Sequence, residues 1–150
     1  MKLKTQLFFF LLLFSNFLFS QQLKLRMLEQ LSNISIVSID EYMNNVQGFK
    51  KLREENDGRT ITYVRNTDND INKVIIVKVL SAFNRGLNAL DVTIGKNIDL
   101  QKFKNELIDN DYNYKGINNN MLIYEKNKTA FLIREQINEM GTNQIMFIFE

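Results

Sequence analysis

The sequence predicts an α+β fold: two tandem repeats, each a helix followed by an antiparallel meander, with the helices packed on one face of a largely antiparallel sheet. Three observations predict it. Apolar residues recur at helical spacing in two places, as Ile39, Tyr42, Met43 and Val46, and as Leu100, Phe103, Leu107 and Ile108. Runs rich in β-formers stand at 49–54, 59–65, 73–80, 90–95, 112–117, 121–126, 129–135 and 144–150, punctuated by Asn, Asp and Gly. The two halves also match each other at one constant offset.

Residues 1–20 read as a secretory signal peptide. Lys2 and Lys4 form the basic start, residues 7–19 are almost unbroken apolar sequence, and Ser20 precedes the expected cleavage point. That apolar stretch is shorter than the roughly 20 residues a membrane-crossing helix needs, so no membrane span is expected after cleavage. No cysteine follows for lipid attachment, and the expected location is periplasmic or secreted. Residues 21–150 form a single α+β domain, with candidate repeats at 38–96 and 97–150.

Within that domain, residues 21–32 carry Leu23, Met27, Leu28 and Leu31 at helix-compatible spacing, with Leu25 interrupting the stripe. Ser38 is placed to cap the next helix, Glu41 to complete a capping box, and Gly48 to end it. Asn56, Asp57 and Gly58 turn the first hairpin. "KVIIVKVL" at 73–80 is apolar on both faces, as a central strand is, whereas "LDVTIG" at 90–95 alternates. Asp99 caps the second amphipathic helix, and Asn118, Asn119 and Asn120 mark a tight turn. With no proline in 150 residues, all turns fall to Gly, Asn and Asp.

Setting Ser38 against Asp99 gives an offset of 61 residues, which also sets Tyr63 of "ITYVRN" against Tyr124 of "LIYEKN" without a gap. Ile39 then faces Leu100, Tyr42 faces Phe103, and Arg65 and Asn66 face Lys126 and Asn127. This reads as a tandem duplication. In the layout of its elements such a pair resembles the tandem fold of the β-lactamase inhibitor protein family, a resemblance that implies nothing about activity.

The chemistry is defined by what is missing. Zero His and zero Cys remove the common zinc ligands, the neutral-pH proton shuttle and the thiolate nucleophile. Ser38 and Ser81 are better explained by a cap and a turn than as nucleophiles. Glu54 and Glu55 are adjacent on a strand and point to opposite faces, so they do not converge as a glycosidase pair, and Glu135 with Glu139 reads as surface charge. Asp68, Asp70 and Asn72 begin an EF-hand spacing, but Lys73 and Val79 stand where the loop needs Gly and Glu. Gly86, Gly95 and Gly116 are isolated and form no phosphate loop. The 19 basic residues include two leader lysines, which leaves 17 against 17 acids and no bulk attraction for nucleic acid.

The expectation is therefore a non-enzymatic exported protein, without metal or cofactor, that binds another macromolecule through an open sheet face and its loops. The partner is an unidentified protein or a second copy. Candidate contacts are Phe83, Arg85 and Leu87 in the loop at 81–89, and Tyr112 and Tyr114, which stand two apart on one strand face. Two helices cover one face of eight strands, whereas residues 74–80 and 145–149 are apolar on both, so the second face calls for a cover. The alternative function is a carrier of a small apolar ligand between sheet and helices.

Overall fold

The computed structural model describes residues 22–35, 37–56, 59–66, 69–81 and 88–150. The expected leader and the loop residues Phe83, Arg85 and Leu87 lie outside them. Three helices and one antiparallel sheet of eight strands make up the described structure, a mixed α+β fold.

Helix α1 spans Leu25–Ser32. Leu25 does not interrupt its apolar stripe: the helix begins there, Leu23 precedes it, and Leu25, Leu28 and Leu31 are buried along one side with Met27 beside them. Helix α2, Ile39–Glu41, continues as a π-turn over Tyr42–Val46. The capping box expected at Ser38 and Glu41 does not form. Ser38 has helical backbone angles, φ −96° and ψ −3°, and its side chain makes no capping hydrogen bond. A capping residue needs extended geometry to fold its oxygen back onto the helix amides. The Ser38 hydroxyl instead accepts from the Ser35 hydroxyl at 3.2 Å.

The π-turn also breaks the predicted stripe. Its wider ring carries each residue through a smaller angle than an α-turn does, so Ile39 and Met43 are buried while Val46 swings out to 65% exposure. Gly48 ends the helix as expected, at φ +67°, a left-handed conformation that costs glycine little. The amide of Phe49 then bonds back to the Met43 carbonyl at 2.9 Å.

Helix α3, Leu100–Asp109, has the cap that α2 lacks: Asp99 is extended and its Oδ1 accepts from the Lys102 amide at 2.9 Å. Phe103 and Leu107 are buried, but Ile108, grouped with them by spacing, stands 57% exposed. One residue past Leu107 is about 100° further round the helix, too far to remain in contact with a flat sheet.

The strands are β1 (Lys50–Glu55), β2 (Thr60–Arg65), β3 (Ile75–Ser81), β4 (Asn88–Gly95), β5 (Asn113–Asn118), β6 (Met121–Lys126), β7 (Thr129–Arg134) and β8 (Thr142–Phe149). Their spatial order is β1-β2-β3-β4-β8-β7-β6-β5, and every neighbouring pair is antiparallel. Two meanders thus meet edge to edge at β4 and β8. Asparagine makes the turns that proline and glycine do not: Asn119 and Asn120 both have positive φ, the requirement of a two-residue hairpin turn. Between β2 and β3 a 3-10 turn, Ile71–Lys73, lies against the end of β4, where Gly95 leaves room for it. A Cβ on Gly95 would stand 2.4 Å from the Asn72 carbonyl carbon.

The two halves are not related by an ungapped offset. Ser38 and Asp99, like Tyr63 and Tyr124, stand 61 residues apart, but β1 and β5 begin 63 apart. Two extra residues around α3 are offset by a first hairpin turn that is two residues shorter. Each half also carries a bulge at one corresponding place, immediately after the residue paired with the tyrosine: Lys51 opposite Tyr63, and Tyr114 opposite Tyr124.

All three helices contribute to one hydrophobic core, and the sheet residues in it belong to one face: Ile61, Tyr63, Val77, Leu90, Val92, Phe131, Phe147 and their neighbours. Phe131 and Phe147 stack at 4.2 Å, with Phe103 and Tyr112 edge-on to Phe131 at 5.7 and 5.2 Å. These rings fill the layer between sheet and helices.

Candidate binding face

The register locates the side of the sheet that the helices leave uncovered. Strand residues alternate between faces, so partners of open-face residues are also on the open face. One row across it runs Thr60, Leu80, Ala89, Ile148, Ala130, Glu125, and the next runs Thr62, Lys78, Asp91, Met146, Leu132, Ile123. A third holds Val64, Ile76, Thr93, Gln144 and Arg134. None of these residues belongs to the core cluster.

The face is divided by polarity. Leu80, Ala89, Ile148 and Ala130, with Met146, Leu132 and Ile123 alongside, form a continuous apolar patch centred on β8 and β7. Each is only half-buried, screened by its sheet neighbours. Beside it lies a polar strip in which Lys78 is paired across from Asp91, and Gln144 Nε2 donates to Asp91 Oδ1 at 2.9 Å. An apolar centre edged by satisfied polar groups is the composition of a protein-binding surface. Sequence spacing alone marks β3 and β8 as apolar on both sides; which side stays uncovered follows only from where the helices pack.

The tyrosines singled out from sequence lie on the opposite side. Tyr112 precedes β5 and is 3% exposed, its hydroxyl donating to Glu29 Oε1 at 3.1 Å. Tyr114 is 52% exposed on edge strand β5 and packs 5.4 Å from the Tyr124 ring. Both belong to the helix-covered face, Tyr112 within the core cluster itself.

Other polar groups resolve into local structure. Asp70 Oδ1 accepts from the Asn72 amide and side chain at 2.9 and 2.8 Å, a turn that ties up the acid left from the EF-hand-like spacing, and Asp68 lies outside the described residues. Glu54 pairs across from Ile61 and Glu55 from Thr60, so they point to opposite faces; Glu135 is held by Lys104. Beneath α2, the buried Tyr63 hydroxyl donates to Asp40, which Lys51 also contacts at 3.0 Å. That hydrogen bond, with Lys51 beside it, holds the Asp40 carboxyl below the usual range, and burial followed by the Asp40 bond pushes the Tyr63 phenol well up. A phenol so raised stays protonated and serves as a strut between helix and sheet.

Among the described residues no group of three His, Cys, Asp or Glu is placed to hold a metal ion, and no helix is long and apolar enough to cross a membrane. No family model, no curated protein and no solved structure matches this chain.

Proposed function

We propose that this chain is an exported, non-enzymatic binding protein whose helix-free sheet face receives another protein. The observation that carries the reading is the apolar patch of Leu80, Ala89, Ile148, Met146, Leu132 and Ile123, outside the core cluster and bordered by a polar strip. Export rests on the basic and apolar leader at residues 1–20. Absence of His and Cys throughout the chain supports binding over catalysis. The filled aromatic layer between sheet and helices offers the small-ligand carrier no supporting observation.

Duplication is part of the same reading. Mirrored strand order about β4 and β8, and a bulge after the residue opposite each tyrosine, support the descent of both halves from one helix-plus-meander unit. Joining two such units edge to edge doubles the width of the open face.

The test is capture of a partner by immobilised protein from an envelope fraction, compared among wild type, Met146→Glu and Leu52→Glu. Leu52 is 65% exposed in the β1 bulge, away from the patch. One defined protein retained by wild type and Leu52→Glu, and lost by Met146→Glu, fits the proposal. Background retention only, or equal retention by all three, sinks it; a second copy as the occupant appears as a dimer in light scattering that Met146→Glu dissociates.

A further inference from the structure

Where the end of α2 meets the tail of β2 and the segment leading into α1, a cleft of about 720 Å³ opens. Lys24, Lys50 and Arg65 line it with the amide side chains of Asn45, Gln47 and Asn66. Among the described residues, no carboxylate does.

Arg65 anchors the site. Its guanidinium lies over the Phe49 ring, 4.7 Å from the centroid, and donates from Nη1 to the Gln47 carbonyl at 3.2 Å and from Nη2 to the Gln22 carbonyl at 3.5 Å. Burial depresses its pKa, the sign of a charge withdrawn from water. Such a charge is ordinarily met by an opposite one. Here the described residues supply two carbonyl dipoles and a ring, and they engage two of the five guanidinium N–H donors.

Some cations elsewhere are paired with acids: Lys51 with Asp40 and Glu54, Arg53 with Glu55, Lys104 with Glu135, Lys128 with Glu150. Three segments distant in sequence instead bring Lys24, Lys50 and Arg65 to one concavity with no acid among its described lining. A purely structural role, tying the Gln22 and Gln47 backbone to β2, would account for the burial of Arg65. It would not account for two lysines converging on the same cleft.

We propose that this cleft binds a small organic anion, its carboxylate or phosphate head on Arg65 with Lys24 and Lys50 at the rim and its polar body against the amides. The planar donor fork of Arg65 matches either oxyanion. A cleft of this size accommodates a molecule of metabolite dimensions. It shares no residue with the apolar patch of the open face, so the two proposals stand or fall separately.

The test is calorimetric titration of the purified, exported protein with citrate and with inorganic phosphate, at ionic strength matched with sodium chloride. Saturable binding of either is expected: citrate alone assigns a carboxylate head, phosphate alone a phosphate head. Arg65→Gln should weaken it about tenfold or more, the loss of one buried charge-assisted contact. Because Arg65 also packs on Phe49, the double variant Lys24→Gln/Lys50→Gln is the control for folding. Both lysines are exposed, so it should keep the wild-type melting temperature without ligand and bind about threefold or more weakly. Failure of both anions to bind above chloride overturns the proposal, as does binding that the double lysine variant leaves unchanged.

Discussion

Replacing Phe131 by Ala and, in a separate variant, Leu132 by Glu sets two consecutive residues of one strand against each other. Phe131 is fully buried, stacked on Phe147 and edge-on to Phe103 and Tyr112. Its truncation removes the ring and leaves a cavity that close-packed aromatic neighbours fill poorly, a cost of about 3–5 kcal/mol. Leu132 faces the other way, between Met146 and Ile123, and is half-buried among its sheet neighbours. Full burial of a leucine contributes about 1.5–3 kcal/mol, so the half it retains amounts to about 1 kcal/mol. The glutamate that replaces it keeps its charge in water. At about 4 °C per kcal/mol for a domain of this size, Phe131→Ala should melt about 12–20 °C below wild type and Leu132→Glu about 4 °C below. Thermal and urea denaturation followed by far-UV circular dichroism, with tyrosine emission as a second probe in a chain without tryptophan, measure both. A Leu132→Glu variant as unstable as Phe131→Ala would mean that the supposedly open face is covered within the folded chain, and the binding surface would be lost with it.

Three other expectations follow from single contacts. Asp99→Ala should cost about 1 kcal/mol through loss of its bond to the Lys102 amide, whereas Ser38→Ala, which removes no capping bond, should be neutral within about 0.5 kcal/mol in the same urea assay. Gly95→Ala drives a methyl into the Asn72 backbone and should destabilise more than Gly48→Ala, where space is open and only the left-handed backbone costs about 1 kcal/mol; equal melting temperatures would refute the packing of the 3-10 turn on β4. Tyr63→Phe should flatten both arms of the stability–pH profile. The depressed Asp40 carboxyl contributes stability above its ordinary value of 3.8, lost as pH falls through the folded pKa, and the raised Tyr63 phenol contributes stability below its ordinary value of 10.0, lost as pH rises above it. Urea midpoints at pH 2–11 for both proteins check this, and parallel profiles would contradict it.

Much of the local structure was legible because its causes are local. Gly48 stops a helix and Asn119–Asn120 turns a hairpin by virtue of their own backbone preferences, and Asp99 caps α3 through an amide three residues on. Ser38 shows the boundary of that logic. Its type and spacing were right, but the backbone entering α2 has the wrong geometry for a cap, and the π-turn that follows rotates Val46 out of the stripe. Of the candidate contacts, Tyr112 and Tyr114 stand two apart, but Tyr112 precedes β5, and spacing does not say which side of the sheet the helices cover.

The amino-acid order by itself determined eight strands, the three helix positions and the absence of His and Cys chemistry, since periodicity and composition need no knowledge of distant residues. Only the tertiary structure decided that β4 lies beside β8, that Leu132 is left uncovered while Phe131 is buried, and that Arg65 meets Lys24 and Lys50 in a cleft. β3 and β8 are apolar on both sides, so neither face was marked as inner by pattern; the helices select one by packing there. Pairing and convergence depend on contacts between segments tens of residues apart, and those energies are realised only once the chain has closed on itself.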